Sequence, residues 1–207
     1  MDSFLKLPTT QKQCEHEFIN WHKGILNYGF WAIEVHSPDW LSIIKSAQTH
    51  LNKFAFPNYL RAPHITLSAC GLIDEHHFST LQLNRQINAL ENMSIEPFSL
   101  KLGQLNSFTS AMYLSIEDSS HTLNKIRTTL NNITADHPTE TYYPHITLGL
   151  YRDNFKTKEI ANEIEAFRLS VPQNISPIKV NELVFCRYET KVLQGPFEVY
   201  RRVRLDN

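Results

Sequence analysis

The pentapeptide Pro63-His64-Ile65-Thr66-Leu67 returns unchanged as Pro144-His145-Ile146-Thr147-Leu148, with the two histidines 81 residues apart. The same spacing lays Trp31, Ile33 and Val35 over Met112, Leu114 and Ile116, each an alternating apolar set of the kind a strand presents. It also lays Ser37 over Asp118, both residue types that cap helices. Self-similarity at a fixed period marks a repeated structural unit. Each half of the chain therefore reads as strand, helix and His-Ile-Thr strand, and the expected fold is two pseudo-symmetric lobes whose motif strands face each other.

Periodicity fills in the rest. Residues 30–35 read as a buried strand. Ser37-Pro38-Asp39 is a helix start, followed by the apolar stripe Trp40, Leu41, Ile43, Ile44, Ala47 and Leu51. Strands are expected at 63–72, 98–105, 111–116, 143–151, 178–188 and 197–205. A helix opened by Asp74 turns Phe78, Leu81 and Leu90 inward; two more follow at about 119–133 and 157–167, and 136–141 is a polar loop. Residues 1–29 read as an N-terminal extension, with Thr9 or Thr10 capping a helix that runs to about His22 and turns Phe18, Ile19 and Trp21 to its apolar side. No low-complexity stretch divides the remainder, so 30–207 is read as a single bilobed domain.

Side chains at i and i+2 of a strand share a face. His64 and Thr66 therefore project together, as do His145 and Thr147, while the intervening isoleucines and the following leucines point into the core. Two imidazoles that titrate near neutrality can divide acid and base work: one takes a proton from an attacking water, the other gives one to a leaving oxygen. The hydroxyls can donate to oxygens on which charge grows. One histidine on each side of a phosphorus suits in-line displacement. A lone His-x-Thr in a strand is ordinarily a packing feature. Two identical copies at matching places are not, because a buried imidazole is costly unless hydrogen-bonded.

Composition narrows the classes. The 207 residues carry a formal charge of -1, whereas proteins that track long nucleic acid are basic, so any nucleic-acid contact is expected to be local or the ligand small. Cys14, Cys70 and Cys186 are odd in number and widely spaced, which argues for reduced thiols and against a disulfide framework. No signal-peptide core or membrane-length apolar run is present, so a cytoplasmic, membrane-free monomer is expected. Cys14, His16 and His22 match no zinc spacing, and no phosphate-binding glycine loop or G-x-S-x-G elbow occurs, so no metal or cofactor is expected.

The paired His-x-Thr motifs resemble those of the two-histidine (2H) phosphoesterase superfamily, which includes the 2′-5′ RNA ligase-like proteins. Residues 98–108 look like that family's central strand and loop and 180–188 like its penultimate strand, so the likeness spans about residues 30–204. The resemblance implies an α+β, bilobed, internally duplicated fold: two mainly antiparallel sheets flanking a central cleft, with helices outside. It implies a phosphoric diester hydrolase acting without metal on 2′,3′-cyclic phosphates of nucleotides or RNA ends. Hydrolysis or ligation of 2′-5′ or 3′-5′ linkages is an alternative, and an idle nucleotide- or RNA-binding module another. His64 and His145 carry over as acid and base in either order, and Thr66 and Thr147 as phosphate-binding hydroxyls. Many members have a basic residue five places after the second histidine; Leu150 stands there, with Arg152 two residues on.

Further substrate-binding candidates follow from position. Ser68 and Tyr151 share the motif faces by alternation, and Tyr151 reads equally as a base-stacking residue or a rim tyrosine. Tyr143 shares the face of His145. Arg61 lies three residues before His64, and Arg187 and Tyr188 lie on a strand expected beside the site. Arg201, Arg202 and Arg204 form a basic final strand that is read first as a charge-protected edge.

Overall fold

A computed structural model describes residues 2–136, 141–171 and 175–205. Among them, the strands are β1 (Asn27–Glu34), β2 (His64–Leu72), β3 (Phe98–Ser107), β4 (Ala111–Glu117), β5 (His145–Leu150), β6 (Ile178–Val180), β7 (Glu182–Glu189) and β8 (Phe197–Arg204). The helices are α1 (Asp2–Leu5), α2 (Glu15–Trp21), α3 (Pro38–Leu51), α4 (Thr80–Glu91), α5 (Thr122–Asn131) and α6 (Thr157–Ser170). The strands form one curled antiparallel sheet in the order β6-β3-β4-β5-β2-β1-β7-β8. It consists of two four-stranded halves joined in the middle by a single residue pair, Ile65 opposite Ile146. These two residues are equivalent under the 81-residue repeat, so the pseudo-two-fold axis runs through their pair.

The repeat extends to register. Ala32, Ile33 and Glu34 lie opposite Thr66, Ile65 and His64; Tyr113, Leu114 and Ser115 lie opposite Thr147, Ile146 and His145. Both ladders slip at the same place, where Leu67 in one half and Leu148 in the other is an extra residue, a β-bulge. A bulge leaves its backbone short of ladder partners, and a helix side chain supplies one in each half. Arg127 of α5 donates to the Leu67 carbonyl at 2.9 Å, and Gln48 of α3 donates to that of Leu148 at 3.0 Å.

One sheet face carries the main core, from Trp31, Ile33, Ile65, Leu67, Ile146 and Leu148 to the helix stripes of α3, α5 and α6. Ser37 caps α3 with Pro38 in its first turn, as the sequence indicates. The helix after β2 starts later than Asp74: the Asp74 carboxylate accepts from the amides of His76 and His77, and Ser79 caps α4 in a capping box with Gln82. That shift turns Leu81 out to 60% exposure and puts Leu83, Gln86 and Leu90 inside. Gln86 is satisfied in the core, accepting from Trp31 Nε1 at 2.8 Å and donating to the Leu130 carbonyl at 3.2 Å.

Two other expectations are corrected. The strand expected at 178–188 is two strands. β6 pairs with β3 at one end of the sheet and, past Asn181, β7 pairs with β1 in the other half. Thr10 caps no helix. Its hydroxyl accepts from the Phe155 amide and donates to the Asp153 carbonyl, tying an extended segment beside the start of α6. The helix of this region is α2, preceded by Cys14.

The central pair generates a stability prediction. Ile65 and Ile146 are fully buried, and truncating such a side chain costs roughly 2–5 kcal/mol. Urea unfolding of Ile146→Ala should show a loss in that range, whereas Leu169→Ala, at a site 82% exposed, should stay within about 0.5 kcal/mol of the parent.

Candidate active site

At the junction of β2 and β5, Ile65 and Ile146 point into the main core, so the neighbouring His64, Thr66, His145 and Thr147 rise from the opposite face. Extending the antiparallel register by one residue each way sets His64 across from Thr147 and Thr66 across from His145. Both imidazoles and both hydroxyls thus surround the pseudo-two-fold axis. The tyrosines lace the halves together: Tyr142 donates to the Thr66 carbonyl at 3.0 Å and Tyr59 to the Thr147 carbonyl at 3.1 Å.

The histidines are held alike. Nδ1 of His64 lies 2.8 Å from the Ala62 carbonyl, and Nδ1 of His145 lies 2.6 Å from the Tyr143 carbonyl, two residues back in each case. A carbonyl only accepts, so the Nδ1 proton is fixed and Nε2 is left to take or give a proton. Each ring sits between two aromatics: His64 with Phe30 and Phe197 at 5.4 and 4.9 Å, His145 with Phe108 and Tyr113 at 5.0 and 5.3 Å. Burial lowers the pKa of both. For His64 it falls to about 4, first by burial and further by the charges of Arg61 and His145, against the raising effect of the Ala62 carbonyl. His145 is lowered by burial, with the Tyr143 carbonyl acting the other way.

Thr66 and His145 open onto a cavity of about 330 Å³ whose walls include Phe108, Arg127, Asn131, Tyr142 and Tyr143. The guanidinium of Arg127 lies 4.8 Å from the centre of the Tyr142 ring. Arg127 and Asn131 stand one turn apart on α5, beside its buried Leu123, Ile126 and Leu130. In the sequence they read only as the polar flank of an amphipathic helix, since nothing local says which strand the helix crosses. Among the described residues, no group of three or more His, Cys, Asp or Glu side chains is arranged to hold a metal ion, and no helix is long and apolar enough to cross a membrane.

Of the further candidates, Tyr143 lines the cavity, 59% exposed. Arg61 lies beside His64, its guanidinium 4.2 Å from the Tyr188 ring centre and its Nε buried without a hydrogen-bond partner. Tyr188 is on the motif face but roofed over, with His22 Nε2 3.2 Å from its hydroxyl. Ser68 and Tyr151 do not face the cleft. The bulges at Leu67 and Leu148 shift the alternation, so that Ala69 and not Ser68 lines the cavity with Thr66. Ser68 is buried and donates to Asn131 Oδ1 at 2.6 Å, which fixes that amide. Tyr151 is fully buried in the main core, its hydroxyl 2.6 Å from that of Ser107. Arg152 lies past the end of β5, exposed, and is not among the residues that line the cavity. Arg187 pairs with Glu198, and Arg202 with Glu34 and Glu182, so both are committed to ion pairs across β1, β7 and β8.

The family described as the 2′-5′ RNA ligase superfamily matches residues 36–191. No curated protein matches the sequence. Among solved structures, the chain is similar to TT0787 of Thermus thermophilus at 14% identity and a TM-score of 0.59, covering 86% of this chain and 97% of that one. It is similar to E. coli LigT in apo form at 17% identity and a TM-score of 0.59, covering 88% and 99%. It is also similar to E. coli LigT complexed with 3′-AMP, at 16% identity and a TM-score of 0.56, covering 89% and 100%.

The buried histidine has a stability consequence. The folded pKa of His64 lies below the ordinary 6.5, so the unfolded chain binds this proton first. Stability is complete above about pH 6.5 and is lost as pH falls toward 4. Urea unfolding of the parent at pH 7.5 and 4.5 should show a loss about 2–3 kcal/mol larger than that of His64→Gln. Equal pH dependence in the two proteins would contradict the burial of a neutral imidazole here.

Proposed function

Because the chain belongs to the 2′-5′ RNA ligase superfamily, we propose that it is a two-histidine phosphodiesterase that opens the 2′,3′-cyclic phosphate of a nucleotide or RNA end. The observation that carries this reading is the pair of matched imidazoles, each with Nδ1 held by the carbonyl two residues back and Nε2 left to exchange a proton. The complex of LigT with 3′-AMP supports a nucleotide as the ligand class.

The chemistry follows from the residues. One Nε2 removes a proton from water as its oxygen attacks phosphorus. The other, as imidazolium, protonates the ribose oxygen that departs on the opposite side. The hydroxyls of Thr66 and Thr147 donate to the non-bridging oxygens, where negative charge builds up in the transition state. Arg127 adds a fixed positive charge at the cavity wall. The low-dielectric surroundings that depress the histidine pKa values also strengthen these contacts.

Purified protein with EDTA present should hydrolyse 2′,3′-cyclic nucleotides to monophosphates, with the product isomer naming the bond cleaved. His64→Ala and His145→Ala should each lower kcat/KM by at least about 100-fold, and Thr66→Ala and Thr147→Ala by about tenfold. Since one imidazole must be neutral and the other charged, kcat/KM should be bell-shaped with pH. Its acid limb should lie near 4, from His64, and its alkaline limb below 6.5, from His145. Undiminished turnover by His64→Ala would overturn the proposal, and ligated rather than hydrolysed products would redirect it to the 2′-5′ alternative.

A further inference from the structure

The two halves match in register, bulge and histidine support, yet their surroundings differ. Beside His145 the motif face opens into the cavity of about 330 Å³. A smaller cavity of about 210 Å³, walled by Gln48, Tyr59, Met112 and Leu148, lies toward the main core and is lined by neither His64 nor Thr147. At Leu150, which the 81-residue repeat matches to Ala69 of the open cavity, Gln194 stands against the backbone. It is 1% exposed, accepts from the Leu150 amide at 3.0 Å, and donates to the Phe56 and Pro57 carbonyls at 3.3 and 3.0 Å. The N-terminal segment then roofs the motif face of that half. Phe18 and Ile25 pack on the cluster of Tyr28, Phe30, Ala32, Leu72, Val184, Cys186 and Tyr188, and His22 reaches the Tyr188 hydroxyl. Arg61 stacks on the same tyrosine, and His64 is left 6% exposed. The family match starts at His36, so α2 lies outside it.

We propose that the site is one-sided: the nucleoside of the substrate occupies the cavity beside His145, and the wall built from α2, Arg61 and Gln194 leaves room beside His64 for water alone. This rests on the phosphodiesterase reading and narrows it. A phosphorus flanked by two nucleosides has no place for the second, whereas a terminal 2′,3′-cyclic phosphate needs none. The cavity offers a nucleobase the Phe108 ring and the Asn131 amide, whose oxygen is engaged by Ser68 so that its NH₂ is presented for donation.

The sides then fix the roles. His64 Nε2 takes a proton from water as the new P–O bond forms. The bond from phosphorus to the ribose 2′ or 3′ oxygen breaks, and His145 Nε2–H protonates that oxygen. Water and cyclic diester become a nucleoside monophosphate, and the two imidazoles have exchanged charge states, which solvent restores. Burial and the Arg61 charge keep His64 neutral, as a base must be.

The test compares adenosine 2′,3′-cyclic phosphate with the 2′-5′ dinucleotide of adenosine. The parent should favour the cyclic phosphate by at least about 100-fold in kcat/KM. Phe18→Ala/His22→Ala, which thins the roof, should raise dinucleotide cleavage at least about tenfold and leave cyclic-phosphate turnover within about twofold, and Phe18→Ala alone is the milder variant if the pair does not fold. Phe108→Ala should raise KM for the cyclic phosphate about tenfold by removing a stacking surface. A cyclic substrate with sulfur as the leaving atom needs no proton, so it should restore His145→Ala and not His64→Ala. Equal cleavage of both substrates by the parent, or rescue of His64→Ala instead, would overturn the proposal. If the parent turns over neither substrate, the phosphodiesterase reading falls, and calorimetry with 3′-AMP still tests the placement. Binding weakened by Phe108→Ala and not by Phe18→Ala supports it; the reverse refutes it.

Discussion

The backbone pairing of Ile65 with Ile146 holds this molecule together. Each half of the sheet is well paired within itself, and the two meet at this point alone in the ladder. Joined so narrowly, the halves depend on contacts that cross the junction. Tyr59 and Tyr142 each bind the carbonyl of the other half's motif threonine. Gln48 reaches from the helix of one half to the bulge of the other, and Arg127 does so in return. Because the pair lies on the pseudo-two-fold axis, any residue next to it is matched by its counterpart across the axis. Two histidines flanking a common centre are the direct result.

Much of this was legible in the sequence, because it is written in repetition and alternation. The repeat at 81 residues identified the two units and the residues that point away from their core. The helix start at Ser37-Pro38 was readable because its signal is local. What could not be read is what depends on a strand's partner. The bulges at Leu67 and Leu148 are slips between strands far apart in the chain. They shift the alternation in mid-strand, and this is why Ser68 and Tyr151, placed on the cleft by strict period-two counting, are buried elsewhere. The break at Asn181 is similar: residues 178–189 have strand character throughout, and nothing local reveals that β6 and β7 serve opposite halves.

The cavity walls were hidden for another reason. Phe108, Arg127, Asn131 and Tyr142 come from a loop, a helix and a strand approach, and only packing assembles them. Arg127 has two tasks that pull the same way. Satisfying the Leu67 carbonyl anchors the guanidinium at the wall, and its stacking on Tyr142 fixes its plane. A cation so held costs little further entropy when an anion arrives. Its counterpart in the other half, Gln48, satisfies the Leu148 carbonyl without a charge. The cation therefore stands on the side where the cavity is open.

A duplicated site faces a problem that duplication cannot solve. Under the proposed phosphodiesterase reading, acid and base work at one phosphorus needs the two histidines in different protonation states, and identical surroundings would make them equal. Here the strands, the bulges and the Nδ1 contacts keep the symmetry, while the elements laid over them break it. Arg61 stacks on Tyr188 beside His64 alone, and α2 and Gln194 close that side. Both imidazoles are depressed by burial, but only His64 also feels a neighbouring guanidinium. The repeated core supplies two equivalent groups at the right place. The elements that differ between the halves, Arg61 (where the repeat places Tyr142) and the overlying α2 and Gln194, give His64 a drier setting with a guanidinium beside it.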